Sequence, residues 1–254
     1  MSHIIAVTNQ KGGVGKSTTA QALGAGLSIK GYSVLCVDLD PQGNLSYSMQ
    51  AAAGGPSSYE LLTKRAGAGE TIQQTEQGHI IAASAALSAA DMEINTTGKE
   101  YRLREALAPV RSQYDFIVID TPPALGTITI NALTAADSLI IPAQAEIFSL
   151  QGIGQLASTI QAVKTYCNPS LKIDGVLLTR HSSRAVLSRD MADLIRDTAE
   201  QLGTAVYKTI IREGVAIKEA QASRQSIFAY APKSNAAADY MAFVEEYLKG
   251  SGSK

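Results

Sequence analysis

The stretch of sequence best suited to chemistry is a glycine-rich loop that ends in a lysine and two hydroxyl residues. It reads Lys11-Gly12-Gly13-Val14-Gly15-Lys16-Ser17-Thr18, follows a predicted strand and opens a predicted helix. Glycines permit backbone conformations closed to other residues and let N–H groups surround a polyphosphate. The helix N-terminus adds partial positive charge. We interpret the segment as a phosphate-binding loop (P-loop), in which Lys16 reaches the β- and γ-phosphates and Ser17 ligates Mg²⁺.

The loop departs from the general P-loop pattern at one position. That pattern has a glycine five positions before the Gly-Lys pair, where this sequence has Gln10. The alternative is a glycine-rich turn without a ligand. Such a turn would not need Gly-Lys-Ser-Thr at the start of a helix, so the sequence favours the phosphate-binding interpretation.

Aspartates stand at the ends of two other predicted strands. Asp38 and Asp40 follow the apolar run from Val34, and Asp120 follows the run from Phe116. The carboxyl ends of parallel strands meet at one edge of a sheet, where the P-loop also lies. We expect Asp120 to hold Mg²⁺ through its water shell. One such aspartate is often only a helix cap or turn residue, but several strand ends with suitable groups favour a nucleotide site.

The elements that must position these residues are short apolar runs alternating with helical patterns. The predicted strands are Ile4–Thr8, Ser33–Asp38, His79–Ala83, Phe116–Asp120, Ser138–Pro142 and Ile173–Thr179, with a shorter one near Val206. The predicted helices are Ser17–Lys30, Glu100–Ser112, Leu150–Tyr166, Val186–Gln201 and Asn235–Lys249. This alternation predicts an α/β fold with a doubly wound, mostly parallel sheet flanked by helices.

The composition is that of one folded domain. Of 254 residues, 45% are hydrophobic and 18% charged, which excludes a disordered chain. The helix–strand pattern resumes after the break at Ala51–Pro56, so we predict one ATPase domain over residues 1–249 and a flexible tail over 250–254. A formal net charge of −1 argues against a wholly basic nucleic-acid binder.

The sequence also indicates the compartment. Cys36 and Cys167 have no metal-ligand or disulfide-scaffold spacing, which fits a reducing cytoplasm. No apolar stretch approaches the length that spans a bilayer, and the start of the chain is not typical of a signal peptide. We therefore expect a cytoplasmic protein with no membrane partner.

Two motifs together resemble a known family. Asn9–Thr18 and Asp38–Asn44 are similar to those of the deviant Walker A ATPases of the ParA/Soj DNA-partitioning group. The likeness extends over nearly the whole chain through Asp120–Pro123, Leu177–Arg180 and Val206–Ile211. It implies a P-loop NTPase fold of the deviant Walker A type.

The resemblance assigns roles to residues around the bound ATP or ADP. It implies that Lys11, the signature lysine, crosses a dimer interface to the partner's phosphates, and that Asp40 positions the attacking water. Asp38 would support the site beside the nucleotide. The adenine would lie near the loops after the last two strands, close to Arg180, Ile211 and Arg212.

The resemblance also implies a biological role. Family members are Mg²⁺-dependent ATPases that form a homodimer around ATP and bind double-stranded DNA without sequence preference in that state. A ParB-type centromere-binding protein stimulates hydrolysis and so releases the DNA. The expected function is segregation of a plasmid, mobile element or chromosome, with nucleoid association in the ATP-bound state. The short N-terminus resembles the ParA type without a helix-turn-helix extension.

One segment departs from the family. Relatives usually carry Pro-Arg-Asn-Val-Arg where this sequence has Arg212-Glu213-Gly214-Val215-Ala216, so two basic positions become Glu213 and Ala216. Other basic residues could restore a DNA-binding face, and the alternative is that they are ordinary solvated charges. The candidate DNA contacts are Arg184, Arg189, Lys218 and Arg224.

The motifs also occur in other classes of ATPase. A MinD-like membrane-cycling ATPase would need a basic amphipathic C-terminal helix, against which Glu245 and Glu246 argue. A nitrogenase-reductase-like enzyme would need paired cysteines, which Cys36 within a strand does not supply. A relic site is improbable because the P-loop and aspartates are intact. An ATPase that positions a cargo other than DNA stays open, because it uses the same switch.

Overall fold

The computed structural model describes residues 2–180 and 186–250, and within them the apolar runs form one seven-stranded sheet. Its order is β3-β4-β2-β5-β1-β6-β7, and every pairing is parallel except the β3–β4 hairpin. The strands are β1 His3–Val7, β2 Val34–Asp38, β3 Ile72–Thr75, β4 Gly78–Ile81, β5 Phe116–Asp120, β6 Ser138–Ala143 and β7 Lys172–Leu178. The predicted doubly wound, mostly parallel sheet is confirmed.

Helices connect these strands and cover the sheet on both faces. They are α1 Lys16–Ile29, α2 Asn44–Ser48, α3 Ser58–Leu62, α4 Ala68–Thr71, α5 Leu87–Glu93, α6 Arg102–Leu107, α7 Thr127–Ala135, α8 Ile147–Tyr166, α9 Val186–Gln201, α10 Val215–Ala222, α11 Ile227–Tyr230 and α12 Asn235–Gly250. Two 3₁₀ turns, Lys99–Tyr101 and Arg111–Gln113, flank α6.

The core lies in two layers, one on each face of the sheet. One layer packs α1, α12 and the short helices α2, α10 and α11 against the sheet, and the other packs α3 to α9. The strands that bear the site, β1, β2 and β5, are buried almost throughout because helices cover both of their faces. In α1, a Cβ at Gly24 would lie 2.7 Å from Cys36 Sγ, so the close approach of α1 to β2 requires glycine there.

Some element boundaries differ from the sequence predictions. The predicted helix Glu100–Ser112 is wrong as one helix, because α6 ends at Leu107 and Pro109 cannot continue it. The short strand near Val206 is a single bridge to Val176. Helix α12 reaches Gly250, the first residue of the predicted tail, and residues 251–254 lie outside the described ranges.

In residues 2–180 and 186–250, no helix is both long and apolar enough to cross a bilayer.

Candidate functional site

A cleft of about 790 Å³ opens at the carboxyl ends of β1, β2, β5 and β7. Strand β1 lies between β5 and β6 at the centre of the sheet, where the connections diverge to opposite sides. Doubly wound sheets bind their ligands at this switch point. The walls come from the P-loop, the loop after β2, the loop after β5, the residues after β7, and α10. The cleft therefore lies at the carboxyl edge of the sheet, where the sequence predicted the site.

The P-loop owes its shape to glycines. Gly13 and Gly15 have φ values of 77° and 87°, in the left-handed region that disfavours other residues, and Gly15 precedes the first turn of α1. A Cβ built on Gly12 or Gly13 would meet no atom within 4 Å, so these residues border open space. The backbone thus presents an uncovered helix N-terminus to the cleft, which suits an anion.

Residues distant in sequence hold the loop from behind. The Thr179 hydroxyl donates to the Val14 carbonyl at 2.7 Å, and Gln144 Nε2 donates to the Gly13 carbonyl at 3.0 Å. On the first turn of α1, the Thr18 hydroxyl accepts from Gln221 Nε2 at 2.7 Å. Sequence reasoning did not assign these supports, because they lie directly after β6, directly after β7 and in α10, far from the loop in sequence.

Lys16 is buried at the start of α1. Its ammonium donates to the Lys11 carbonyl at 3.1 Å, so the side chain folds back over the loop. Burial lowers the pKa of Lys16, and the charges of Asp120 and Asp40 oppose that shift. A buried cation at the floor of the cleft is suited to binding phosphate.

Asp120 ends β5 and is fully buried. Neither carboxylate oxygen has a well-formed hydrogen bond within the described residues. Burial raises the pKa of Asp120 well above its usual range and Asp38 adds to the shift, while the Ser17 hydroxyl and Lys16 oppose it. A buried carboxylate with so few donors is costly unless a ligand satisfies it.

The oxygen groups beside the P-loop fit an Mg²⁺ ion that takes most of its ligands from water and phosphate. In the described part of the chain, no group of three or more His, Cys, Asp or Glu residues could hold a metal ion by itself. Mg²⁺ commonly keeps several waters and takes one or two protein oxygens plus substrate phosphates. Ser17 lines the cleft and Asp120 is buried beside it without lining it, so the two provide that small oxygen set.

The other two aspartates have different surroundings. Asp38 accepts from the Asp40 amide at 3.0 Å and from the Ser46 amide and hydroxyl at 2.8 and 2.7 Å. Burial raises the pKa of Asp38 to about 6, although these hydrogen bonds act to lower that pKa. Asp38 therefore fastens the loop to α2 and does not line the cleft, whereas Asp40 lines it and accepts from the Gln42 amide at 3.0 Å.

Lys11 lies on the outer side of the loop. Its ammonium lies 2.5 Å from Glu146, which immediately precedes α8. The Lys11 amide donates to Asn9 Oδ1 at 3.1 Å, and Asn9 Nδ2 donates to the Pro142 carbonyl at 2.7 Å. Unlike Lys16, Lys11 does not line the cleft.

Two of the predicted adenine neighbours border the cleft. Arg180 donates to the Gly13 carbonyl at 3.4 Å and pairs with Glu213 at 3.2 Å, while Ile211 is buried in the cleft wall. Arg212 does not line the cleft, because its guanidinium binds Asp239 through two hydrogen bonds of 2.9 and 2.7 Å.

The candidate DNA contacts are dispersed. Lys218, on α10, lines the cleft. Arg224 follows α10, donates to the Tyr47 carbonyl at 3.0 Å and lies over the Tyr47 ring. Arg189 lies within α9, and Arg184 lies outside the described residues.

Comparisons with known proteins agree with this geometry. Residues 2–173 match the family model described as AAA domain. The chain is 41% identical over 251 residues to the sporulation initiation inhibitor protein Soj of Bacillus subtilis, covering 97% of this chain and 98% of Soj. It is 36% identical over 252 residues to the chromosome partitioning protein ParA of Caulobacter vibrioides, covering 96% and 93%.

Solved structures show the same fold. A cobyrinic acid a,c-diamide synthase from Mycobacterium smegmatis, with bound ATP analog and magnesium, is 34% identical with a TM-score of 0.85, covering 100% of this chain and 97% of that one. The McdA(D38A)–ATP complex from Cyanothece has a TM-score of 0.88 over 100% and 97%. At 23% identity, the latter likeness concerns the fold alone.

Proposed function

Since this chain belongs to the ParA/Soj family of P-loop ATPases, we propose that it binds MgATP in the cleft and slowly hydrolyses it to ADP and phosphate. The observation that carries the proposal is that buried Lys16 and buried Asp120 influence each other through their charges beside the P-loop, and that the Asp120 carboxylate has no well-formed hydrogen bond within the described residues. A polyphosphate with its Mg²⁺ supplies charges complementary to both groups. The ATP analog and magnesium in the 34% identical synthase support the same ligands.

Each site residue then has a task in the reaction. The P-loop amides and Lys16 bind the β- and γ-phosphates, while Ser17 and Asp120 hold Mg²⁺, the latter through water. When bound, Mg²⁺ would neutralise negative charge on the phosphates during hydrolysis. Asp40 orients the attacking water, and Asp38 keeps the Asp40 loop in place through its hydrogen bonds to Ser46.

Two protomers associate around ATP in the proposed cycle. Lys11, which lies outside its own cleft, reaches the phosphates of the partner and makes dimerisation depend on the γ-phosphate. The dimer binds double-stranded DNA without sequence preference, and a ParB-type partner accelerates hydrolysis. The relative ParA is named a chromosome partitioning protein, which supports a role in DNA segregation.

A second candidate is an ATPase that positions a cargo other than DNA. It is favoured by ion pairs of two basic residues near the cleft, because Glu213 pairs with Arg180 and Asp239 pairs with Arg212. These pairs reduce the positive charge that would attract phosphate. The nucleotide cycle is the same in both proposals.

Retention on random-sequence double-stranded DNA separates the two functions. The wild-type protein should bind DNA with ATP and not with ADP or without nucleotide, and binding should weaken steeply as salt rises. Lys16→Ala is the matched control, because it loses ATP binding and should bind no DNA under any condition. An ATP-dependent dimer that binds no DNA even at low salt would contradict the partition function and support another cargo.

A further inference from the structure

Two helices that line the cleft end against one another. Helix α2 ends at Ser48 and α10 at Ala222, and two residues after each end the chain turns through the left-handed region. The residues there are Gln50, with φ 60°, and Arg224, with φ 53°. Glycine is the usual residue at such a position, and another residue costs about 1 kcal/mol or more. Their side chains are therefore expected to make compensating contacts.

Each of these residues contacts the end of the other helix. Arg224 Nε donates to the Tyr47 carbonyl in the last turn of α2 at 3.0 Å, and its guanidinium lies 4.9 Å from the centre of the Tyr47 ring. In the other direction, Gln50 Nε2 donates to the Arg224 carbonyl at 2.9 Å. The Tyr47 carbonyl also accepts from the Gln50 amide at 3.1 Å, so Arg224 supplies a second donor there and ties it to the chain that follows α10.

Two further glutamines complete this contact, which we name the α2–α10 junction: Gln21, Tyr47, Ser48, Gln50, Gln77 and Arg224. Gln77 Nε2 donates to the Ser48 carbonyl at 2.6 Å and to the Arg224 carbonyl at 2.9 Å. Gln21 Nε2, from α1, donates to the Ser48 carbonyl at 3.2 Å and to Gln77 Oε1 at 3.0 Å. The junction thus joins α1, α2, the β3–β4 turn and the end of α10.

The junction fixes the far ends of two walls of the cleft. Helix α2 begins directly after the Asp40–Gly43 loop, and Asp38 holds its Ser46. Helix α10 contacts the P-loop helix through Gln221 and Thr18. A movement of α2 away from α10 would carry the Asp40 loop with it.

We propose that Arg224 is a positioning residue for ATP hydrolysis: it joins the end of α2 to the end of α10 and thereby holds Asp40 at the cleft. This role differs from the DNA contact that the sequence suggested for Arg224. The inference rests on the proposed function, because it requires Asp40 to act in hydrolysis. Arg224 itself touches no reacting atom, so its effect is on geometry.

Arg224→Gly is the decisive variant. Glycine adopts the left-handed backbone without strain, so the turn persists while the side-chain contacts are lost. The kcat for ATP should fall about ten-fold, because a small displacement of a catalytic group is enough for such a loss. The KM should change less than roughly two-fold, since the P-loop is intact. Arg224→Lys, which keeps a cation that reaches the carbonyl and ring of Tyr47, should recover most of the kcat.

Lys64→Gly is the matched control. Lys64 also follows a short helix, has φ 60° and carries a cation, but it pairs with Glu105 and does not line the cleft. This variant should hydrolyse ATP at the wild-type rate. Wild-type kcat in Arg224→Gly, equal losses in the two glycine variants, or no recovery in Arg224→Lys would each overturn the proposal.

Hydrogen–deuterium exchange of the nucleotide-free protein gives a readout independent of hydrolysis. Amides of α2 should exchange faster in Arg224→Gly than in the wild type, and no faster in Lys64→Gly. Unchanged exchange in α2 would contradict the junction itself. A wild-type protein that binds no ATP would instead contradict the proposed function, while the exchange measurement would still decide the junction.

Discussion

Asp120 is a residue of the site whose burial lowers the stability of the nucleotide-free protein. Its carboxylate is fully buried and lacks a well-formed hydrogen bond within the described residues. Removing an ion from water costs several kcal/mol unless partners compensate, and Lys16 compensates only in part. The Asp120 carboxylate is therefore suited to a site in which the bound ligand supplies its remaining partners. Ligand binding should stabilise the fold correspondingly.

Asp120→Asn should stabilise the nucleotide-free protein. Because the pKa of Asp120 is raised on folding, the native state binds its proton more tightly than the unfolded state does. Wild-type stability from this group is thus lost as pH rises above the unfolded pKa of about 4. Asparagine cannot ionise. The difference in free energy of unfolding between Asp120→Asn and the wild type should therefore grow with pH and reach at least about 1 kcal/mol near neutrality. Urea unfolding at several pH values measures this difference.

Asp115→Asn is the control of opposite sign. The Ser33 amide and hydroxyl donate to the Asp115 carboxylate and lower its pKa, so this group stabilises the fold above its unfolded pKa and stops doing so as pH falls. The variant should be less stable than the wild type near neutrality, and the deficit should shrink in acid. If Asp120→Asn behaves in the same way, the carboxylate of Asp120 is satisfied without ligand.

At the scale of elements, the sequence predicted the strands and helices that have a clear hydrophobic pattern. The buried strands β1, β2 and β5 were predicted within a residue or so, because uninterrupted apolar runs mark strands covered on both faces. Helix α7 was missed, since polar residues of Thr127–Ala135 such as Thr129 and Asn131 are buried together with the apolar ones, so no separate polar face gives a helical period. The edge strand β3 was missed because Ile72–Thr75 is mostly polar.

The same limit applies to the candidate site. The P-loop and the aspartates could be predicted, since each lies in one short segment with a strand before it. The supports from Thr179, Gln144 and Gln221 could not, because they depend on which loops the sheet order brings together. Charge alone likewise suggested a DNA contact for Arg224, whereas its position follows from the packing of α10 against α2.

The loop between β2 and α2 carries Asp40, whose proposed task is to orient the attacking water. Asp40→Ala should bind ATP normally, because the P-loop contacts persist, but its hydrolysis rate should fall by about 100-fold or more. The ATP-bound state should therefore accumulate. Single-turnover assays with radiolabelled ATP measure both quantities. Glu105→Ala, which removes an exposed carboxylate paired with Lys64, is the control and should hydrolyse at the wild-type rate.

At the scale of the whole molecule, the charge of one protomer is nearly balanced. The formal net charge is −1, and basic side chains near the cleft pair with acidic ones, as Arg180 does with Glu213. A single protomer would thus attract DNA weakly. In the proposed cycle, two protomers joined by ATP would present their basic surfaces together, and the effective concentration of the second contact would raise the avidity for DNA without a new kind of contact. In the proposed cycle, nucleotide controls DNA binding by controlling association.

Lys11→Ala tests that association directly. The monomer should still bind ATP, because Lys16 and the P-loop amides form the phosphate cradle within one chain. The ATP-dependent dimer should be lost, because in the proposed cycle Lys11 supplies the charge that pairs with the partner's γ-phosphate. Lys30→Ala is a matched control, since Lys30 also pairs with a glutamate at 2.5 Å but lies at the end of α1, away from the cleft. Light scattering with ATP should show dimers for the wild type and Lys30→Ala and monomers for Lys11→Ala. A Lys11→Ala protein that dimerises like the wild type would show that the interface does not enclose the nucleotide.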